Sequence, residues 1–166
     1  MYDAILVATD GSDTGTAAVE HAIGLAERFD ADLVGMTVLE SRTEYDNAIV
    51  DPEEVARRRE QRADEIVDDL EAAATDAGIT VETTVESGVP HEEIVAAATE
   101  RAADVIVVGS RGRSSFKRAL LGSTVEGVVR FADRPVVVVD GSEAGDVDVA
   151  ADHDTGTDTD DGPEAR

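Results

Sequence analysis

The chain has no cysteine and no tryptophan among its 166 residues, only five aromatic side chains, and one lysine, Lys117. Without cysteine there is no disulfide scaffold, no thiolate metal site and no cysteine nucleophile. Basic residues are scarce too, 14 against 38 Asp plus Glu, for a formal net charge of −24. Neutralising a run of phosphates needs a basic footprint, so this balance argues against general nucleic-acid binding. It disfavours anionic membrane surfaces for the same reason. No apolar run approaches the ~18 residues of a membrane span, and the opening Met1-Tyr2-Asp3 lacks the positive start of a secretory signal, so the cytoplasm is the expected location.

The length suits one domain with an appendage and is enough to bury a core, with 42% of the residues hydrophobic. An acidic surface of this kind repels itself in dilute solution, but in molar salt the Debye length is only ~3 Å and the repulsion is largely screened. The composition therefore reads as adaptation to a salt-rich cytoplasm, the alternative being an ordinary acidic protein with an acidic tail. Residues 140–166 hold ten acids, one basic residue (Arg166) and no Leu, Ile, Phe or Met. A segment so poor in apolar groups cannot offset its ordering entropy and is expected to be a disordered tail. Residues 1–139 form the domain, with 28 acids and 13 basic residues for a net −15.

Within the domain, strand-like and helix-like patterns alternate. Residues 3–9 and 32–39 read as buried strands, and Ile79–Glu86 as one less completely covered. Residues 104–108 and Pro135–Val139 complete five. Helical spacing over 14–29 puts Ala18, Ala22, Leu25, Ala26 and Phe29 on one face. A longer helix over about 52–77 begins at Pro52, turns Ala63, Ile66, Val67, Leu70, Ala74 and Ala77 inward, and stops at Gly78. A third helix runs over 90–103 with Ile94, Val95, Ala98 and Ala102 inward, and Ser123–Ala132 is a short fourth. Five strands separated by helices predict an α/β domain with a mostly parallel sheet.

The stretch from Gly109 to Thr124 carries the chemistry. Gly109, Gly112 and Gly122 follow a buried strand and precede a helix. Glycine lets backbone approach a ligand closely, and a helix N-terminus with about half a positive charge is a ready anion site. Residues 109–122 also hold Arg111, Arg113, Lys117 and Arg118 with no acid, a local reversal of sign in a −24 chain. The plainer reading is a glycine-punctuated turn whose basic groups pair with the acidic surface. The pattern is neither a Walker A loop nor a G-x-G-x-x-G dinucleotide fingerprint.

The first strand ends Ala8-Thr9-Asp10-Gly11-Ser12. In open α/β sheets, ligands bind beyond the carboxyl ends of the strands, where strand order reverses. If strands one and four are neighbours there, Asp10 and the glycine loop face one crevice, and a carboxylate in that place suits ribose hydroxyls. The alternative for Asp10 is a helix N-cap, a role for which Asp13 competes.

Taken together, these residues resemble the nucleotide-binding branch of the universal stress protein family. Its G-x2-G-x9-G-S/T pattern is matched at Gly109, Gly112, Gly122 and Ser123, and the resemblance covers about residues 2–139. It implies a single doubly wound five-stranded parallel sheet of order 3-2-1-4-5, of the adenine nucleotide alpha hydrolase-like kind. It implies that Asp10 contacts ribose and that Ala8, Thr9 and Val38 line the adenine site. Val108 and Gly109 would lie along the nucleotide, and Gly112, Gly122, Ser123, Thr124 and Val125 would hold the phosphates. Ala8 departs from the family, whose nucleotide-binding members often have Pro there. The implied protein is a cytoplasmic, ATP-binding, dimeric stress sensor or regulator, with Mg²⁺ accompanying the phosphates and at most slow hydrolysis. Val136–Val139 reads as an apolar edge strand, and the resemblance implies that the homodimer forms through it. A protein-interaction module of the same fold that binds no nucleotide stays open as the alternative.

Other patterns do not converge on a site. Two Asp-Thr-Gly triplets, at Asp13 and Asp154, mimic an aspartic protease pair, but the domain lacks the two lobes needed to bring them together. His91-Glu92-Glu93 is not part of an H-E-x-x-H. His21, His91 and His153 are expected at exposed helix or tail positions. The Asp-rich run Asp154–Gly162 fails calcium-loop spacing. No H-x-G-H or S-G-G-x-D-S motif of the ATP-using ligases and transferases occurs. The 40–51 connection is long enough to form a flap over the site, or a plain surface excursion.

Overall fold

The computed structural model describes residues 1–41, 51–112 and 121–141. The elements run β1 (Ala4–Ala8), α1 (Asp13–Phe29), β2 (Asp32–Glu40), α2 (Pro52–Asp76), β3 (Val81–Gly88), α3 (Pro90–Glu100), β4 (Val105–Gly109), α4 (Ser123–Phe131) and β5 (Val136–Val139). The five strands form one sheet of order β3-β2-β1-β4-β5 with every pairing parallel, as expected. The flap residues 42–50, the basic residues Arg113, Lys117 and Arg118, and the tail from residue 142 lie outside the described residues.

Side chains alternate across a strand, so each central strand feeds two cores. On one face Ile5, Val7, Leu33, Val105 and Val107 pack with Ala18, Ala22 and Ala26 of α1 and Leu70 and Ala74 of α2. On the other, Leu6, Met36, Ile106 and Val108 pack with Ile94 and Ala98 of α3 and Val125 and Val128 of α4. This two-sided burial is why β1 and β4 read as unbroken apolar runs rather than alternating ones. Among the described residues, no helix is long and apolar enough to cross a membrane.

Several boundaries and faces differ from expectation for local reasons. Ser12, not Asp10 or Asp13, caps α1: its hydroxyl accepts from the Gly15 N–H at 3.2 Å. Leu25 and Phe29 are only half-buried while Val19 and Ile23 face the core, a small rotation of the predicted stripe. Phe29 instead meets Tyr2 edge-on, with ring centroids 5.3 Å apart. In α2, Val67 is half-buried and Ala77 exposed. Gly78 does stop that helix, in the left-handed region at φ +74. The Ile79 N–H returns to the Ala74 carbonyl, so Ile79 closes the helix and β3 begins only at Val81. Helix α3 ends at Glu100, and Ala102, expected inward, is exposed at φ +50 in the turn that follows. His91 is not an exposed bystander: its ring stacks on Phe131, centroids 5.6 Å apart, in the space left by the missing side chain of Gly127.

Asp104, just before β4, ties the two central strands together at their N-terminal ends. One oxygen accepts from the amides of Asp3 (2.7 Å) and Ala4 (3.0 Å). These two bonds, the Asp3 amide first, hold its carboxyl below its usual range. A carboxyl lowered in the folded state stabilises above its unfolded pKa, about 3.9 for Asp, and loses that stabilisation as pH falls through the folded value. The expected outcome is that parent and Asp104→Asn differ most at neutral pH and converge on acidification below about pH 4. Denaturant titrations across that range would show it, and a constant gap would refute it.

Candidate functional site

A cavity of about 960 Å³ opens at the carboxyl ends of β1, β2 and β4. That is the upper end of the roughly 300–1,000 Å³ typical of small-molecule sites. β1 lies between β2 and β4, so strand order reverses there and α1 and α2 leave on one face while α3 and α4 cover the other. The adjoining loops therefore diverge and leave a crevice.

Of the residues named from sequence, Ala8, Thr9, Asp10, Val38, Val108, Gly109, Gly112, Ser123 and Thr124 line this cavity together. Gly122 and Val125 do not. Gly122 is buried, with its N–H given to the Ser110 carbonyl at 3.0 Å, and the Val125 side chain belongs to the core, 3% exposed. With its side chain in the core, Val125 can offer the cavity only its backbone amide.

The turn after β1 is built by local hydrogen bonds. The Thr9 hydroxyl accepts from the Gly11 N–H at 3.2 Å, and Asp10 Oδ1 accepts from the Ser12 N–H at 3.0 Å. Gly11 sits at φ +73, which permits this tight reversal. The turn aims the second Asp10 oxygen at the glycine loop: a Cβ placed on Gly112 would lie 3.1 Å from Asp10 Oδ2.

The loop's first half is lashed to α1. Thr14 Oγ1 donates to the Arg111 carbonyl, and Ser12 Oγ lies 3.4 Å from the same oxygen. The Arg111 guanidinium pairs with Asp140, beyond β5, at 2.7 Å. The second half meets α4. Gly122 provides no side-chain cap, and the first turn-closing bond is Glu126 N–H to Gly122 O at 3.0 Å. The amides of Ser123, Thr124 and Val125 thus precede the helical ladder, where an anion is favoured.

The three loop glycines serve different ends. A Cβ on Gly109 would fall 2.6 Å from the Thr14 carbonyl carbon, so this glycine is required by the approach of α1 to β4. On Gly122 the nearest atom among the described residues would be the Gly112 N at 3.4 Å, ordinary contact, and on Gly112 it would be Asp10 Oδ2 at 3.1 Å. Among the described residues, neither position meets backbone as closely as Gly109 does.

Sequence reasoning missed one wall. Val55, Arg58, Arg59 and Arg62 of α2 line the cavity opposite the glycine loop. Their signal was the Arg-Arg-Arg-Glu-Gln-Arg run at 57–62, whose place over the strand ends depends on how far α2 overhangs the sheet. Among the described residues, no group of three or more His, Cys, Asp or Glu could hold a metal.

The chain is similar to known proteins over this whole framework. It is 34% identical over 149 residues to a universal stress protein of Methanocaldococcus jannaschii, covering 84% of this chain and 82% of the relative. Among solved structures it is similar to a universal stress protein of Lactobacillus plantarum, with a TM-score of 0.71, 29% identity, and coverage of 83% and 97% of the two chains. It is also similar to a universal stress protein solved in complex with cAMP, with a TM-score of 0.66, 30% identity, and coverage of 85% and 99%. The model of the Universal stress protein family matches residues 1–140, from the first strand through the last, and the chain belongs to that family.

Proposed function

We propose that the cavity binds an adenine nucleotide, ATP above all, and that the chain is a nucleotide-binding stress-response regulator of the cytoplasm. The observation that carries this reading is Gly112, which lines the cavity facing Asp10, next to Gly122 and the uncapped N-terminus of α4. Ribose hydroxyls would bond Asp10, with the base against Ala8, Thr9 and Val38 beside Val108 and Gly109. The phosphates would lie between Gly112, Gly122 and the amides of Ser123, Thr124 and Val125. Support comes also from the similar protein solved with cAMP.

Mg²⁺ would arrive with the phosphates, because it keeps most of its water shell and takes few protein oxygens. The hydroxyls of Ser123 and Thr124, which line the cavity, would be available to such an ion. Among the described residues, the carboxylates of the wall are Asp10 and Glu40, and Asp10 already holds the Ser12 amide. The reading is therefore of binding, with slow hydrolysis at most. The homodimer would form through β5, which is a sheet edge with Val138 exposed. The excess of 38 acids over 14 basic residues supports a salt-rich working environment, and residues from 140 onward would be an appendage to the domain.

The test is acid extraction of the purified protein for bound nucleotide, followed by ATP titration in molar KCl against Gly122→Val. A branched side chain there should block the approach of a phosphate and weaken ATP at least tenfold, about 1.4 kcal/mol. No extracted nucleotide and no ATP binding by the parent would favour a ligand-free interaction module. Equal affinities of parent and variant would refute the site.

A further inference from the structure

Helix α2 is longer than the sheet it covers. Its 25 residues extend about 37 Å. Its buried residues are Ala63, Ile66, Leu70 and Ala74, none of them in the first eleven positions. The residues before Ala63 project past the strand ends, and there Arg58, Arg59 and Arg62 line the cavity. With Arg111 they make four cations among the described residues of a wall whose described carboxylates are Asp10 and Glu40. In a chain of net −24, this is a second local reversal of sign, from an element separate from the glycine loop.

The arginines of the helix are unequally neutralised. Glu54 serves both Arg57 and Arg58. Arg62 reaches Glu65 with one nitrogen at 3.3 Å, and Arg59 has no ion-pair partner among the described residues. The other terminal nitrogen of Arg62, Nη2, lies 3.2 Å from where a Cβ on Gly11 would sit. It therefore stands over the same turn that aims Asp10 at Gly112. Arg62, Gly112 and the first residues of α4 line the same cavity, and Arg58 and Arg59 extend the cationic wall along α2.

On the nucleotide reading, the free backbone amides at the α4 N-terminus would serve the first phosphate. Charge beyond the first phosphate needs counter-charge beyond them, and guanidinium groups match phosphate oxygens in geometry as well as sign. We propose that Arg59 and Arg62 are specificity-determining residues that read the length of the phosphate chain, selecting a nucleoside triphosphate over a monophosphate. This rests on the nucleotide reading of the cavity.

The experiment titrates ATP and AMP against the parent, Arg59→Gln, Arg62→Gln and Arg57→Gln, with far-UV circular dichroism to verify that α2 is retained. Arg57 removes the same charge from the same helix but does not line the cavity. The expected result is that Arg59→Gln and Arg62→Gln each weaken ATP about tenfold and AMP less than twofold, while Arg57→Gln changes neither. An unchanged ATP-to-AMP ratio in both cavity variants overturns the inference and leaves the nucleotide site standing. An equal loss in Arg57→Gln also overturns it, by assigning the effect to the general field of the helix. A parent that binds neither nucleotide overturns the site itself.

Discussion

Replacing Gly109 by alanine is expected to cost about 3 kcal/mol and to lower the melting temperature by about 10 °C. In an ordinary strand position the change would help slightly, because alanine loses less backbone entropy on folding. Here the new Cβ would lie 2.6 Å from the Thr14 carbonyl carbon and 2.7 Å from both its oxygen and Oγ1. Two of those three atoms are backbone in the first turn of α1 and cannot swing aside. The helix would have to move away from β4, stretching the bond from Thr14 Oγ1 to the Arg111 carbonyl. Denaturant unfolding in molar KCl is the measurement, with Gly122→Ala as a control. There the Cβ has 3.4 Å of room, and a change within about 0.5 kcal/mol is expected. A Gly109→Ala protein as stable as its parent would refute the proposed contact.

Arg134→Ala is expected to be nearly as severe, about 2–3 kcal/mol, although the residue is far from the cavity. Its Nη1 donates to the carbonyls of Ala98 (2.6 Å) and Ala103 (2.7 Å), and Nη2 donates to the Thr99 hydroxyl at 3.2 Å. The side chain is 14% exposed and also pairs with Asp133 at 2.8 Å. It thus holds the C-terminus of α3, where the helix presents its negative end, to the segment entering β5. Lysine keeps the charge but not the fork of donors, so Arg134→Lys should recover about half of the loss. Equilibrium unfolding of the three proteins decides it. A loss below about 0.5 kcal/mol for alanine would mean that water replaces the guanidinium at no cost.

Much of this architecture was legible because local and global preferences agree. The runs 4–8 and 105–108 are continuously apolar because α1 and α2 cover one sheet face and α3 and α4 the other. Pro52 and Pro90 stand at the first positions of their helices, as their fixed φ favours. The strand order was not readable from periodicity. It came from the family resemblance, and the register of β4 beside β1 bears it out. What escaped reading depended on contacts between distant segments. Arg134 meets carbonyls 31 and 36 residues away. His91 finds Phe131 because Gly127 has no side chain. The arginines of α2 enter the site because the helix outruns its core, a fact of length and tilt that helical spacing does not encode.

The unequal demands on the three loop glycines have an evolutionary consequence. Gly109 is fixed by the approach of Thr14, whereas among the described residues a side chain at Gly122 would have room and one at Gly112 would meet the Asp10 carboxylate. If the proposed nucleotide site is used, a lineage built on this framework would shed its ligand by one substitution at either of the last two positions, at a smaller cost in stability than at Gly109. Regaining the ligand is equally short a path. Binding in such a scaffold is a trait that selection can drop and recover while the fold is inherited unchanged.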